Sequence, residues 1–392
     1  MSRRTGIDVA IVGGGVVGAA CALVLAAQDL EVALIEAVEP PRWSPDEADL
    51  RVYAFAPDNA ALLDSIGVWR AVEAARAQPY RRMRVWDAAG GGELGFDADA
   101  FGRSELGWIV EHGLLVDRLW QGLAKAGVQL HCPARVETLE QHEQGVRLRL
   151  DDGTRIDARL VIAADGAGST IRTLAGLDVA SHDYAQRGLV AYVRTEHAHQ
   201  DTAWQRFLPG GPLAVLPCTE GRSSIVWTLP DTEAERLLAV DDDTFNRELT
   251  RAFDLRLGAM CVDAKRVAFP LRRQLAQRYV QDRVIAIGDA AHVVHPLAGQ
   301  GVNLGLRDVT ALRDSIRDAQ ARGVDFAGAQ RLSRWARTRS SENAAAAFAF
   351  EGLNRLFSSD GVAASLLRGP LLGLAGKIPV LPHALWRRAA GL

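Results

Sequence analysis

The sequence predicts an α/β fold: a Rossmann-like dinucleotide-binding domain, a mainly antiparallel β-sheet domain inserted into it, and a helical C-terminal region. The apolar run IDVAIV at 7–12 ends in Gly13-Gly14-Gly15-Val16-Val17-Gly18 and leads into a helix-like segment, the order of strand, phosphate-binding turn and helix. Buried-strand runs recur far downstream, at 159–165 (RLVIAAD) and 284–287 (VIAI). Between them, GLVAYVR, AWQRFL, PLAVLP and SSIVWTL follow one another over 188–229, bounded by Gly and Pro with no helix between them. That is antiparallel behaviour, and it marks an insertion.

Taken in order, 7–12 reads as a buried strand, 15–28 as a helix and 31–35 as a second buried strand. A polar loop with prolines spans 39–50, and a helix follows near 57–66. Residues 84–96 (RVWDAAGGGELGF) read as a Gly-turned hairpin. A helix is expected at 114–126, then strands at 128–131, 134–139 and 145–150, with a turn at Asp151-Asp152-Gly153. From 301 onward the chain is mainly helical. The resulting division places 1–75, 100–178 and 266–325 in the dinucleotide domain. Residues 76–99 and 179–265 form the inserted sheet, and 326–392 the helical tail.

The chain has 392 residues, 48% of them hydrophobic, with a net charge of −3. That length exceeds one compact core, and the charge gives no electrostatic footprint for nucleic acid. Four scattered cysteines with no CxxC pair argue against a disulfide framework or a zinc site and fit a reducing, cytoplasmic compartment. The start, MSRRTGIDVAIVGGGVVGAACALVLAA, also has the outline of a twin-arginine export signal. Asp8 breaks that outline, and the apolar tract is used up by strand, turn and helix. No stretch reaches the uncharged length of a membrane span.

Three stretches are rich in bare backbone. In the first, Gly13 permits the tight turn, Gly15 lets a pyrophosphate approach, and Gly18 allows helix–strand packing, while Gly14 and Val17 sit on the same phosphate-facing turn. Glu36 ends the next strand 18 residues after Gly18, where a carboxylate can accept a ribose hydroxyl. The choice between FAD and NAD is open at this point. In the second, Asp165 and Gly166 leave a buried strand and precede Ser169 and Arg172. Asp165 reads equally as a cap for the next turn and as a holder of a ligand hydroxyl. In the third, Asp289 follows a buried strand, and Gly299-Gln300-Gly301-Val302-Asn303 exposes successive N–H groups at the mouth of a helix. Such amides, with the helix dipole, favour a negatively charged partner.

These three stretches, in this order and spacing, resemble the FAD-dependent aromatic hydroxylases that include para-hydroxybenzoate hydroxylase. GDAAHVVHPLAGQGVNLGLRD (288–308) resembles the signature of the ubiquinone-biosynthesis hydroxylases within that group. LRVYAFAPDNAALLDSIGVW (50–69), ELGWIVEHGLLVDRLWQGL (105–123), VAFPLRRQLAQRYV (267–280) and the tail around 337–357 resemble the same family. The resemblance implies a FAD-binding domain of the glutathione-reductase-like (GR2) type, with the inserted sheet binding substrate. Gly13, Gly15, Gly18 and Glu36 would bind the ADP half of FAD, and Arg51 would approach it from the long loop. Asp289 would hold the ribityl chain, Pro296 would pack beside the ring system, and the 299–303 amides would meet its pyrimidine edge. Asp165 and Gly166 match a motif linked to both FAD and the nicotinamide donor. Two departures stand out: the family's Glu-Asn reads Glu111-His112 here, and Ala344–Ala347 replace larger residues.

The function so implied is a monooxygenase that uses NAD(P)H and O2 to hydroxylate a polyprenylated phenol or quinol on the way to ubiquinone, with the C5 or C6 step weakly favoured. A single dinucleotide fingerprint suits that chemistry, because the nicotinamide donor then needs no Rossmann domain of its own. Two alternatives remain: a hydroxylase of a small soluble phenol, and a non-catalytic FAD-binding subunit of a quinone-synthesis complex. Tyr192, Trp204, Phe207 and Trp227 are candidates for a substrate wall, although aromatic residues at strand spacing are more often core. His292 and His295 lie near the third stretch without a catalytic assignment. Contact with the inner membrane, a biosynthetic complex and a homo-oligomer are left open.

Overall fold

The chain begins with β1 (Ile7–Val12), whose last four residues are fully buried, as expected of a parallel strand covered on both faces. The computed structural model describes residues 6–88, 92–294, 301–358, 386–387 and 390–391. Helix α1 (Val16–Ala26) is apolar nearly all round and buried along most of its length, packed against later helices rather than facing water. β2 (Val32–Ile35), β3 (Val52–Phe55), α2 (Pro57–Ser65), α3 (Trp69–Arg76) and β4 (Ala77–Tyr80) follow. Pro57 opens α2 at a position where its missing N–H costs nothing. Next come β5 (Arg82–Asp87), β6 (Glu93–Asp97), β7 (Gly107–Glu111), α4 (His112–Lys125), β8 (Gln129–His131), β9 (Val136–His142), β10 (Gly145–Leu150) and β11 (Arg155–Ala163). After α5 (Thr170–Leu174), the chain runs through β12 (Val179–Thr195), β13 (Thr202–Leu208), β14 (Gly211–Pro217), β15 (Arg222–Pro230), α6 (Asp231–Ala239), α7 (Asp242–Ala252), β16 (Met260–Val262) and β17 (Val267–Ala276). It ends with β18 (Val280–Gln281), β19 (Val284–Ala286), β20 (His292–Val293), α8 (Gly301–Ala321) and α9 (Ala329–Ser358).

The first sheet runs β18-β19-β11-β1-β2-β8, with β9 and β10 appended to β11. β19, β11, β1, β2 and β8 are parallel, in registers such as Val9 opposite both Leu160 and Val32. β1 is central, and the chain leaves it towards β2, while its other neighbour, β11, arrives much later. The strand order therefore reverses at the carboxyl end of β1, where open α/β sheets form a binding crevice.

The second sheet runs β20-β17-β12-β15-β14-β13-β5-β6 and is antiparallel except where β13 meets β5. One face, carrying Leu189, Val193, Leu213, Ile225 and Trp227, packs on Leu237, Phe245, Leu249 and Phe253 of α6, α7 and the turn after them. The other face, with Tyr192, Ala214 and Leu216, meets Ala54 and Ile109 of a small third sheet, β3-β7-β4. The third sheet thus bridges the two large ones.

Several details differ from the sequence reading. Helices α6 and α7 belong to the inserted domain, where the sequence reading names no helix. They form because Asp241 caps α7 through Thr244 N and both helices present one apolar face to the sheet. The expected return to the dinucleotide domain at 266 comes later, because β17 pairs with β12 over most of its length; the chain re-enters the first sheet only at β18 and β19. Trp227 lies in the core beneath α6 and α7, and Trp204 packs against it, while Phe207 joins Val85 and Leu94 in a separate cluster. Of the four aromatic candidates for a substrate wall, only Tyr192 faces the third sheet.

Candidate cofactor site

The crevice at β1 is built by backbone geometry. Gly13 has φ +106°, and a Cβ there would lie 2.3 Å from the Ala164 carbonyl oxygen, so only glycine fits. A Cβ at Gly18 would lie 1.9 Å from the Gly13 oxygen, which makes Gly18 the contact that lets α1 approach the turn. Gly15 differs: a Cβ there would meet nothing within 4 Å, and its φ of −67° suits any residue. It borders open space. No side chain caps α1 and its first turn carries no acid, so its leading N–H groups are directed at that space.

The space is a cavity of about 590 Å³. Gly13, Gly15, Val17, Glu36, Arg51, Asp165, Asp289 and Val302, all expected at the site, line it together. They come from the ends of β1, β2, β11 and β19, from the loop before β3 and from the start of α8. Glu36 accepts hydrogen bonds from the backbone N–H of Gly14 and of Val38. Trp120 holds the same turn by donating from Nε1 to the Gly14 carbonyl at 2.7 Å.

Asp165 caps the next turn and also stands at the cavity. One oxygen accepts the Ser169 hydroxyl and the other the Ile171 N–H at 3.2 Å, which caps α5, and the residue also lines the cavity. Arg172, 7% exposed, donates to the carbonyls of Ala167 and Ala290, both at 2.9 Å. It ties the Asp165 turn to the turn that carries Asp289. The Asp289 carboxylate has no hydrogen-bond partner among the described residues.

Gly301 opens α8 and Val302 reaches the cavity, but the Asn303 side chain turns inward. It accepts from Ala56 N at 3.0 Å and donates to the Ala54 carbonyl at 2.8 Å, fastening α8 to β3 and α2. Pro296, Gly299 and Gln300 lie outside the described residues, as does His295. His292 is fully buried, with Nε2 2.6 Å from Asp308, and does not line the cavity.

Tyr53 and His112 also line the cavity, and the sequence assigns a role to neither. The Tyr53 hydroxyl lies 2.9 Å from His112 Nδ1, and the Arg51 guanidinium sits over the Tyr53 ring at 5.4 Å. The Glu111-His112 departure is the one signal the sequence carries, and it does not reveal the partner. Burial first, then the Arg51 charge, lower His112 to about 4 against the pull of Asp49. The ring is neutral at pH 7. Between pH 6.5 and 4 the unfolded chain binds the proton more readily, so this residue's contribution to stability is lost as pH falls through that window. His112→Asn should flatten the decline in melting temperature between pH 7 and 5; an unchanged slope would show that His112 does not titrate this way.

Chemically, the α1 amides suit an anion, while Glu36 and Asp289 offer carboxylates to hydroxyl groups. No cluster of His, Cys, Asp and Glu suited to a metal ion occurs among the described residues. A dinucleotide with a pyrophosphate between two hydroxyl-bearing halves fits this donor and acceptor set.

Known proteins agree. The family described as "FAD binding domain" matches residues 6–339. The 3-demethoxyubiquinol 3-hydroxylase of Escherichia coli (strain K12) is 40% identical over 338 residues, covering 86% of each chain. The ubiquinone hydroxylase UbiL of Rhodospirillum rubrum is 36% identical over 98% of this chain and 89% of its own. Among solved structures, pqsL of Pseudomonas aeruginosa, a probable FAD-dependent monooxygenase, shares the fold with TM-score 0.76 at 24% identity, covering 90% of this chain and 97% of that one. The chain belongs to the FAD binding domain family and, within it, to the ubiquinone-biosynthesis hydroxylases.

Proposed function

We propose that this chain is a FAD-dependent monooxygenase that hydroxylates the aromatic ring of a polyprenylated phenol or quinol precursor of ubiquinone, with NAD(P)H as electron donor and O2 as oxygen source. The observation that carries the reading is the single cavity into which three distant stretches bring the α1 amides, Glu36, Asp165 and Asp289. FAD, when bound, supplies the redox chemistry that links NAD(P)H oxidation to transfer of one oxygen atom. The α1 N-terminus and Gly15 receive its pyrophosphate, Glu36 a ribose hydroxyl, and Asp289 the ribityl hydroxyls. Arg51 contributes positive charge. The start of α8, with Gly301, Val302 and the backbone of Asn303, directs amides at the electron-rich edge of the ring system.

The inserted sheet supplies the substrate side. Its apolar face packs through Tyr192, Ala214 and Leu216 against Ala54 and Ile109 of the third sheet, and an aromatic ring held at the margin of that packing is kept from water. A polyprenyl tail partitions into lipid, so the reading carries peripheral contact with a membrane from the cytoplasmic side. No helix among the described residues is long and apolar enough to cross one.

Mass spectrometry of quinone lipids from a strain lacking the gene tests the reading. A prenylated intermediate one ring oxygen short should accumulate, and its structure names the carbon. An unchanged ubiquinone pool, together with purified protein that oxidises no NAD(P)H in the presence of quinol precursors, would overturn it.

A further inference from the structure

Behind the Asp289 turn lies a buried charged network that does not itself line the cavity. Asp308 of α8 is fully buried, and four donors converge on its carboxylate. Gly288 N donates to Oδ2 at 3.0 Å, and His292 Nε2 approaches the same oxygen at 2.6 Å. Arg339 Nε and Asn343 Nδ2, both from α9, donate to Oδ1 at 2.7 and 3.0 Å. Arg339 also donates to Asn343 Oδ1 at 2.9 Å. Burial alone would raise the Asp308 carboxyl, but His292 and Arg339 outweigh it and hold it below the ordinary carboxylate range. It is therefore an ion.

The network touches the turn at one point. Gly288 has φ +57°, and its Cα lies 3.1 Å from the Cβ that Gly305 of α8 would carry, so the turn is pressed against α8 with little space between them. The Gly288 N–H points back to Asp308, and the next residue, Asp289, lines the cavity. Breaking a buried pair leaves an uncompensated charge, and four donors on one buried carboxylate hold it in one geometry, although His292 Nδ1 has no partner among the described residues. Asp308 is thus placed to choose the orientation of its neighbour's carboxylate.

We propose that Asp308, held by Arg339 and His292, is a positioning residue for the cofactor: through Gly288 it fixes the turn that aims Asp289 into the cavity, and so makes α9 part of the cofactor site. The inference rests on the assignment of Asp289 to the cofactor. It gives a role to a helix none of whose described residues lines the cavity.

A double-mutant cycle on the full chain separates this from simple stability. FAD affinity is read from the quenching of flavin fluorescence on binding, at a temperature well below every variant's unfolding transition. Asp289→Ala and Asp308→Asn should each weaken FAD by about tenfold, the order expected for a lost hydrogen bond to a charged group. In the Asp289→Ala background, Asp308→Asn should add less than about twofold. Equal losses in both backgrounds, or wild-type affinity for Asp308→Asn, would overturn the inference and leave the Asp289 reading standing. An Asp289→Ala variant that binds FAD normally would remove that reading and the inference with it. Arg339→Lys keeps the charge but not the fork geometry. It repeats the same cycle more gently, and its outcome decides if Asp308→Asn fails to fold.

Discussion

Replacing Gly15 with tryptophan should abolish FAD binding and leave the fold intact. The backbone at Gly15 is extended, with φ −67° and ψ −175°, so a side chain brings no strain there. A Cβ would meet nothing within 4 Å, and the indole must therefore lie in the space before the α1 amides. FAD then loses its approach to those donors, for a cost of at least about a hundredfold in affinity, or about 2.7 kcal/mol. Flavin absorbance carried through gel filtration reads the binding, and far-ultraviolet circular dichroism reads the fold. Gly18→Val is the contrasting control, since its side chain collides with the Gly13 carbonyl and should lower the melting temperature. A Gly15→Trp protein that keeps its flavin spectrum would sink the phosphate-turn assignment.

That contrast is partly legible in the amino-acid sequence. The run from β1 through Gly18 encodes its fold locally, because apolar periodicity, turn glycines and helix start lie within a dozen residues. The same is true of β2 with Glu36 and of β19 with Asp289. The cofactor cavity is readable to the extent that it is made of such local units. What escapes the sequence depends on pairs far apart in the chain. Tyr53 and His112 are 59 positions apart and Asp308 and Arg339 are 31 apart, and no periodicity links them. β17 reads as part of the dinucleotide domain because its alternation is weak, with exposed and half-buried residues over most of its length; its place is set by pairing with β12. Asp165 stands undecided between cap and ligand for a good physical reason: the same carboxylate caps α5 and borders the cavity.

Glu111→Ala should be among the most destabilising single changes, although that residue does not line the cavity. Glu111 ends β7 and is 4% exposed. It accepts from Trp43 Nε1 at 2.6 Å and from Arg76 at 3.1 Å. Trp43 belongs to the loop at 39–50, which has no strand or helix to hold it. The guanidiniums of Arg76 and Arg118 lie over its ring at 5.2 and 5.4 Å, so one carboxylate anchors an indole and balances a charge beside it. Without Glu111, Arg76 keeps the Pro45 carbonyl as an acceptor but is left nearly buried without a counter-ion, which costs about 3–5 kcal/mol. Calorimetry should show a melting temperature lower by about 5–10 °C. The loop then leads directly to Asp49, which accepts from Gly113 N and Arg51 N, both at 2.8 Å. Loosening Trp43 should therefore also weaken FAD binding through Arg51. Glu111→Gln retains an acceptor for Trp43 but not the charge, and should fall between the two. A Glu111→Ala protein as stable as its parent would mean that the loop is held by Asp49 and by Arg76 on the Pro45 carbonyl, with Trp43 a passenger.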